Sequence, residues 1–421
     1  MLTRLLIGVA LLVLGHGLQS ILLGVRASIE GFSEFVTGLI MSAFFVGFII
    51  GSFIGPWLIR QSGHTRAFAA FASLASIVTL SHALFVEELV WALLRVVHGI
   101  SFAIVVMVAE SWLNGNSSSA TRGRVLAVYS TIFLGAWAAS QLLLMVADPG
   151  DFKLFSLVSI LISASLIPLV LGRPEGSGDI GATRTSLRRI YAISPLGMVG
   201  AFMTGLAMNA FWTLGSVFGS EIGLAQQSIA IFMAAMLLGG TVLQWPVGYL
   251  SDLIDRRRVM VGACVLAAAM AAAIAVIEPN PYLLAVGAFL FGGVATPLYS
   301  LSISHANDHI GRDEHVAVSS ALLMVYGVGA VIGPLLGGAA MDVYGPAGLP
   351  LAVAAAFGGF GLFGLWRMSV RAPVAAQDQR DFLAVAGTTH MAQDLDPRGV
   401  ERSEREAKGG IESGARRSSA E

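Results

Sequence analysis

The stretch GYLSDLIDRRR, residues 248–258, is a short charged turn between two long apolar segments, about 226–250 and 258–277. Each flanking segment has roughly the 20 residues that a helix needs to cross a hydrocarbon core of about 30 Å. Lipid offers no partners to free backbone groups, so only helices and closed barrels span it. These segments are apolar throughout instead of alternating with period two, which excludes an outer-membrane barrel. The stretch is therefore predicted to join two membrane-spanning helices.

The same succession of apolar segments and polar turns repeats along the chain. The residues are 56% hydrophobic and 12% charged, whereas about 25% of the residues of a soluble protein are charged. We therefore predict an all-α membrane protein with twelve spans. The predicted spans are residues about 4–24, 34–59, 66–86, 90–113, 124–147, 153–172, 195–219, 226–250, 258–277, 281–304, 316–340 and 347–368.

Basic residues fall almost entirely in alternate connections between the predicted spans. Because Lys and Arg are retained in cytoplasmic loops, these connections and both termini are predicted to be cytoplasmic, in a bacterial inner membrane. The opposite connections carry only Arg26 and Lys153. The net charge of −1 indicates no nucleic-acid partner. The basic set is Arg4, Arg60, Arg66, Arg122, Arg124, Arg173, Arg184, Arg188, Arg189, Arg256, Arg257, Arg258 and Arg312.

A polar segment in the middle of the chain divides the predicted spans into two sets of six. Its Gly, Ser and Arg content is typical of a flexible linker. An internal repeat supports the division, because one gap-free shift places Gly47 on Gly239 and Arg66 on Arg258. The end of the chain is too polar to bury a core, which predicts disorder. The predicted units are an N-terminal six-helix bundle (1–172), a cytoplasmic linker (173–194), a C-terminal six-helix bundle (195–368) and a disordered cytoplasmic tail (369–421).

The stretch at 248–258 resembles a signature loop of the major facilitator superfamily, which follows the second helix of that family and again its eighth. The signature is Gly, three residues, Asp, a basic residue, one residue, Gly and further basic residues. Leu253 and Asp255 depart from it, and the first-half copy is poorer, with Pro56 in the Gly place and Arg60 in the Asp place. The matching residues are Gly248, Asp252, Arg256 and Arg257.

Other segments are also similar to this family. Arg95-Val-Val-His98-Gly99 resembles the Arg-x-x-x-Gly motif of the fourth helix. Gly329-x-x-x-Gly333-Pro334 resembles a Gly-Pro pattern of the fifth helix of antiporters, but lies here in the eleventh span. The segments 109–114 (AESWLN) and 297–300 (PLYS) resemble the YcaD-like branch. The resemblance implies a major facilitator fold, in which a pseudo-two-fold axis relates two six-helix bundles and the substrate site lies between them.

Arg95 is the one basic residue that lies inside a predicted span away from its ends, where a charge costs several kcal/mol. Gln19 falls at nearly the same depth, and His16 and His98 each lie three residues deeper on the same helix faces. We expect two polar layers, Gln19 with Arg95 and His16 with His98, to face each other across a central cavity and contact substrate. Imidazole titrates near neutral pH, so both histidines are candidates for proton coupling. Alternatively, Arg95 extends its charged group to the membrane interface or hydrogen-bonds helix carbonyls as a structural brace. The histidines would then serve only in packing.

Four further residues are candidate substrate contacts. Asn209 and Gln244 are buried amides that contact substrate or, as we favour, bridge helices. Trp137 and Trp212 lie in the middle of spans, where they stack on a substrate or pack toward lipid. No Asp or Glu lies near the middle of a predicted span. This absence favours an anionic or neutral polar substrate over an organic cation.

Charged residues near the predicted cytoplasmic ends of the spans are candidate gating groups. We expect Glu110 and Asp308 to pair with nearby arginines and to hold this end closed; the alternative is surface ion pairs worth under about 1 kcal/mol. Two glycine stripes, residues 47, 51 and 55 and residues 329, 333 and 337, are expected to meet between the bundles as a sliding contact. The gating candidates are Glu110, Arg60, Arg66, Arg122, Arg124, Asp252, Arg256, Arg257, Asp308 and Arg312.

These features predict a secondary active transporter that moves a small solute across the inner membrane by alternating access. The sequence has no ATP-binding Gly-x-x-x-x-Gly-Lys-Ser/Thr loop, and family analogy favours proton coupling and export. The alternative is a non-transporting receptor or scaffold. An enzyme is not expected, since the spans show no carboxylate pair, metal cluster or nucleophile–base arrangement. The expected partners are the solute and the lipid bilayer, with no cofactor, and the expected state is a monomer.

Overall fold

Helices account for almost all of the chain that the structure describes. The structure is a computed structural model that describes residues 2–117, 121–170, 186–310, 314–371 and residue 382. A short 3-10 turn at Leu143–Val146 continues α5. The helices of the described part are α1 Leu2–Ile29, α2 Glu34–Ser62, α3 His64–Leu84, α4 Glu88–Gly115, α5 Arg122–Leu142, α6 Lys153–Ala164, α7 Leu166–Val170, α8 Leu187–Ile193, α9 Pro195–Glu221, α10 Gln226–Leu253, α11 Arg256–Val276, α12 Pro281–Ala295, α13 Pro297–Asn307, α14 His315–Tyr344 and α15 Gly348–Val370.

The predicted spans are present as helices, but two of them are interrupted. Within the described residues, 11 helical segments are long and apolar enough to cross a membrane, and Lys153–Pro168 is a shorter apolar helix. The sixth predicted span breaks into α6 and α7 because Pro168 offers no N–H to the carbonyl of Ala164 and its ring clashes there. The tenth breaks at Thr296, and Pro297 begins α13, where a missing N–H is tolerated.

Part of the predicted flexible linker is helical. Residues 187–193 form α8, and Ile190 on this helix is buried against the chain. The hydrophobic spacing of Leu187 and Ile190 was hidden by the arginines beside them, which suggested only a charged loop. Residues 173–185 of the predicted linker lie outside the described residues.

The internal repeat appears in the packing of glycines against backbone carbonyls. In the N-terminal half, α1 to α7, Gly47 lies against the Val96 carbonyl and Gly99 against the Phe44 carbonyl, so that α2 and α4 pack with no space for a Cβ. The C-terminal half, α9 to α15, repeats these contacts between α10 and α12. The equivalent pairs are Gly239 with the Phe289 carbonyl and Gly292 with the Met236 carbonyl. Because glycine has no Cβ, a backbone carbonyl can contact its Cα directly, and the two helices approach closely.

The two glycine stripes do not meet each other, so the prediction of a sliding contact between them was wrong. Residues 47, 51 and 55 of α2 face α4, and residues 329, 333 and 337 of α14 face α9. Each stripe therefore holds a helix pair together inside one half. The prediction failed because a stripe shows that a helix is packed closely but does not identify its neighbour.

The halves meet at the end of the molecule where Glu34 and Asp342 lie, which we call the acidic end. Here Gly24 lies against Ser216, Gly38 against the Pro334 carbonyl, and Gly338 against the Glu34 carbonyl. The backbone N–H of Phe35 donates to Asp342 Oδ1 over 3.3 Å. The Gln226 side chain donates to the carbonyls of Leu144 and Ala147 across the same boundary. These contacts seal the acidic end.

The opposite end carries Arg60, Arg256 and the linker, and we call it the arginine-rich end. The predicted tail begins here: α15 runs to Val370, and the Arg371 carbonyl accepts a hydrogen bond from Arg257 Nη1 over 2.7 Å. Phe382 packs its ring on Gly248 and donates its backbone N–H to Asp252 Oδ1 over 2.9 Å. The other tail residues, 372–381 and 383–421, lie outside the described residues.

Candidate functional site

A cavity of about 510 Å³ lies between the two halves. Its walls come from α1, α2, α4 and α5 of one half and from α9, α10, α13 and α14 of the other, with Thr296 before α13 and Leu187 of α8. Lining positions extend to Pro56, Leu187 and Ser320, which lie toward the arginine-rich end. Because the acidic end is sealed, the cavity belongs to a conformation open toward the arginine-rich end.

Five of the eight predicted substrate contacts border this cavity. They are His16, Trp137, Asn209, Trp212 and Gln244. The other three, Gln19, Arg95 and His98, do not line it and are buried inside the N-terminal half, each with no more than 1% of its surface exposed. The depth of these residues was predicted from helix rise, but the rotation of α4 places Arg95 and His98 behind His16.

The two histidines contact each other directly and do not face each other across the cavity. His16 Nδ1 lies 3.3 Å from His98 Nε2, and one proton can sit between these nitrogens. The His16 ring stacks on Phe102, with ring centroids 3.8 Å apart. Since α1 and α4 belong to the same half, the predicted polar layer is a contact within that half, and His16 connects it to the cavity.

Arg95 is buried without a carboxylate partner among the described residues. Its Cζ lies 4.5 Å from the centre of the Phe44 ring, a cation–π geometry. Its Nε and Nη1, the side-chain amide of Gln19 and Nδ1 of His98 are buried and have no hydrogen-bond partner in the described part of the chain. Arg95 thus places an uncompensated charge next to the histidine pair.

The two amides at the cavity bond to different kinds of neighbour. Asn209 Nδ2 donates to the Gly205 carbonyl of its own helix, α9, over 2.7 Å. Gln244 Nε2 on α10 lies 3.4 Å from Ser300 Oγ on α13, so Gln244 bridges two helices. Both side chains also line the cavity, where they are available to a solute.

Sequence reasoning missed the aromatic wall of the cavity. The residues that form it beside the two tryptophans are Phe44, Phe45, Phe48, Phe53, Phe102, Phe133, Tyr299 and Tyr326. Phe44 and Phe48 are four residues apart and share a helix face, a spacing that would have indicated one aromatic side of α2. In an apolar span this signal is indistinguishable from ordinary packing.

Three gating candidates form a buried ion cluster at the arginine-rich end. Arg256 Nη1 lies 2.5 Å from Asp308 Oδ2, both side chains being 1% exposed, and Arg256 Nη2 lies 3.1 Å from Asp252 Oδ1. All three belong to α10, α11 and the end of α13, within the C-terminal half. In this conformation the cluster braces one half and does not join the two halves, unlike the predicted latch.

Arg257 forms a separate contact beside this cluster. Its Nη2 lies 2.8 Å from Asp255 Oδ2, and Asp255 also caps α11 by accepting the Arg257 N–H. Burial acts to raise the pKa of Asp255, but hydrogen bonds from Arg257 and the charges of Arg257 and Arg258 hold this pKa below its usual value. Asp255, which departs from the family signature, therefore fixes the turn.

Glu110 is fully buried and accepts a hydrogen bond from Tyr129 Oη over 2.7 Å. Arg60, Arg66 and Arg124 are exposed, and Arg124 makes no ion pair with a described residue. The expected Glu110–Arg124 pair is therefore not formed in this conformation, in which Tyr129 on α5 donates to the carboxylate. The side chain of Arg122 and the whole of Arg312 lie outside the described residues.

The comparisons with known proteins agree on one family. A model of the Major Facilitator Superfamily matches residues 197–395. An uncharacterized MFS-type transporter of Escherichia fergusonii, YcaD, is 26% identical over 335 residues, covering 78% of this chain and 86% of its own length. Another, YE1530 of Yersinia enterocolitica, is 26% identical over 347 residues and covers 81% and 88%. Through these matches the chain is similar to the major facilitator superfamily, whose model covers its C-terminal half.

Solved structures show the same fold at low sequence identity. The nucleoside transporter NupG superposes with a TM-score of 0.72 at 12% identity, covering 88% of this chain and 99% of NupG. A bacterial homolog of the human lysosomal transporter Spinster, in an inward-facing and occupied conformation, gives a TM-score of 0.68 at 14% identity and covers 91% and 98%. The predicted major facilitator fold and the resemblance to YcaD are confirmed, and these similarities support a multi-pass membrane transporter.

Proposed function

We propose that the protein is a secondary active transporter that moves a small solute out of the cell by alternating access, driven by protons. The observation that carries this proposal is the cavity between the halves, open toward one end and sealed at the other. Export and proton coupling rest on family analogy, and the His16–His98 pair, of which His16 lines the cavity, supplies a route for a proton.

The same proposal places the arginine-rich end and both termini in the cytoplasm of a bacterial inner membrane. The asymmetry of Arg and Lys between the two ends supports this orientation. We propose that the six-helix units span 1–172 and 195–368, joined by the linker 173–194, and that the protein acts as a monomer. The gating candidates retain their proposed role for the conformation in which the arginine-rich end closes.

Cysteine accessibility tests alternating access without knowledge of the solute. In a Cys264→Ala background, Ser52→Cys lies at the cavity and Ser216→Cys lies in the sealed boundary against Gly24. A membrane-impermeant maleimide should label Ser52→Cys from the cytoplasmic side and Ser216→Cys only from the other side. Acidification should change the two labelling rates in opposite directions, and His98→Gln should abolish this pH response. Ser216→Cys that never reacts would indicate a static receptor or scaffold.

A further inference from the structure

The cavity wall contains aromatic rings and no formal charge. Among the described residues that line it there is no Asp, Glu, Lys or Arg, and His16 supplies its only imidazole. Arg95 is separated from the cavity by the N-terminal half's own side chains, with 1% of its surface exposed. A charged solute in this cavity would lose its hydration without gaining an ionic partner, which costs several kcal/mol. The wall therefore selects against ions of either sign.

The aromatic rings come from both halves, and the two tryptophans meet across the boundary between the halves. Trp137 on α5 and Trp212 on α9 have ring centroids 5.3 Å apart at an interplanar angle of 48°. On the N-terminal side, the His16 ring is stacked on Phe102. On the C-terminal side, the Tyr299 and Tyr326 rings lie 4.6 Å apart. Flat aromatic solutes gain stacking and edge contacts from such walls, beyond the area that they bury.

Two polar groups at the wall are left without partners. Trp212 Nε1 and Thr204 Oγ1 are buried, belong to residues that line the cavity, and have no hydrogen-bond partner in the described residues. The indole N–H is a donor only. A buried donor without a partner is costly, and an acceptor on a bound solute would remove that cost.

We infer that the cavity binds an uncharged, flat aromatic solute that carries a carbonyl-type acceptor for Trp212 Nε1. This inference rests on the proposed transport function and names the chemical class of its solute. It replaces the anionic alternative suggested by the sequence, because Arg95 does not reach the cavity. The volume of about 510 Å³ is that of a site for a drug-sized molecule.

Binding to the purified full-length protein in nanodiscs tests the inference with a matched series of tricyclic probes. Acridone is flat and neutral and carries a carbonyl; acridone-4-carboxylate adds a negative charge; 10-methylacridinium is a cation; carbazole is flat and neutral without a carbonyl. We expect acridone to bind at least about tenfold more tightly than either ion. An anion or cation that binds as tightly as acridone would overturn the inference.

Substitution of Trp212 tests the assigned hydrogen bond. Trp212→Phe keeps a smaller aromatic ring and removes the N–H, so acridone should lose about fivefold more affinity than carbazole. The matched control is Trp245→Phe, at a residue of α10 that is 75% exposed and does not line the cavity. An equal loss for acridone and carbazole would remove the proposed acceptor contact.

The inference and the proposed function fail in different ways. If no neutral probe binds but Ser52→Cys and Ser216→Cys still alternate in accessibility, the solute class is wrong and the transport function stands. If neither cysteine changes its reactivity at any pH or with any probe, the transport function itself is wrong. Protection of Ser52→Cys from labelling by acridone, and not by acridone-4-carboxylate, would support both.

Discussion

The buried pair of Arg256 and Asp308 should be a main source of stability in the C-terminal half. The two side chains are 2.5 Å apart and each is 1% exposed. Asp308→Ala leaves the guanidinium buried with Asp252, at 3.1 Å, as its remaining carboxylate in this cluster. Loss of one member of a buried ion pair costs about 3–5 kcal/mol. Because Asp252 still compensates part of the charge, we expect about 3 kcal/mol, a factor of about 150 in the unfolding equilibrium.

The chain supplies its own probe for this measurement. Cys264 is the only cysteine, and it is buried on α11, the helix that begins with Arg256. Its labelling by a fluorogenic maleimide during a denaturant titration in detergent reports the unfolding of this half. Asp308→Ala should shift the midpoint strongly. Arg258→Ala, at an exposed neighbouring arginine, is the control and should change stability by less than about 0.5 kcal/mol.

A double-mutant cycle separates the pair from its surroundings. Replacing both residues, as Arg256→Met with Asp308→Ala, removes the unpaired charge and should recover much of the stability lost in the single variant. A double variant whose loss equals the sum of the single losses would refute the reasoning, because the two groups would then act independently. An Asp308→Ala midpoint as close to the parent as that of Arg258→Ala would refute it as well.

Three further predictions concern the boundary, a histidine and the tail. Gly338→Ala places a Cβ against the Glu34 carbonyl, so the acidic end should seal less well. If this overlap costs the sealed conformation about 2 kcal/mol, Ser216→Cys should be labelled about thirtyfold faster. The control Gly358→Ala, where a Cβ would meet no atom within 4 Å, should leave the labelling rate unchanged. Burial lowers the pKa of His309, and its hydrogen bond to the His305 carbonyl opposes this shift in part. The stability that neutral His309 contributes is therefore complete above pH about 6.5 and is lost as the pH falls below that value. His309→Gln should reduce the loss of thermal stability between pH 7 and 5. Phe382→Ala should destabilise the protein by about 1 kcal/mol through its lost packing on Gly248, and Gly248→Ala in the same chain should add little, whereas Phe152→Ala, at a residue 64% exposed, should have no effect.

The membrane fold was predictable because it depends on the length of apolar segments and the distribution of charge. The spans around residues 248–258 follow from these alone, and the division into two sets of six was predicted from the polar middle segment and the internal repeat. The glycine contacts show the limit: Gly47 and Gly333 were recognised as close-packing positions, but the neighbours of each were assigned wrongly. Which helix lies beside another depends on three-dimensional order, and spacing along one helix does not contain it.

For the candidate site, the sequence predicted only how deep each polar residue lies in the membrane. His16 and His98 were placed at the same depth and do touch. The rotation of a helix about its axis decides whether a side chain reaches the cavity, and for Arg95 this rotation was not readable from the sequence. The aromatic wall was missed for a related reason, because Phe44 and Phe102 look like packing residues in any apolar span.

The distribution of tight contacts explains how the two halves can move as rigid bodies. Inside each half, glycines lie against backbone carbonyls along whole helix pairs, α2 with α4 and α9 with α14, so these pairs cannot slide without steric overlap. Between the halves, the tight contacts at Gly24, Gly38 and Gly338 are confined to the acidic end. Opening that end breaks a few local contacts and leaves both interiors intact. The lowest-cost motion is therefore a rocking of one half against the other about the cavity, and Gly338→Ala should favour it while a substitution at Gly47 should unfold the N-terminal half instead.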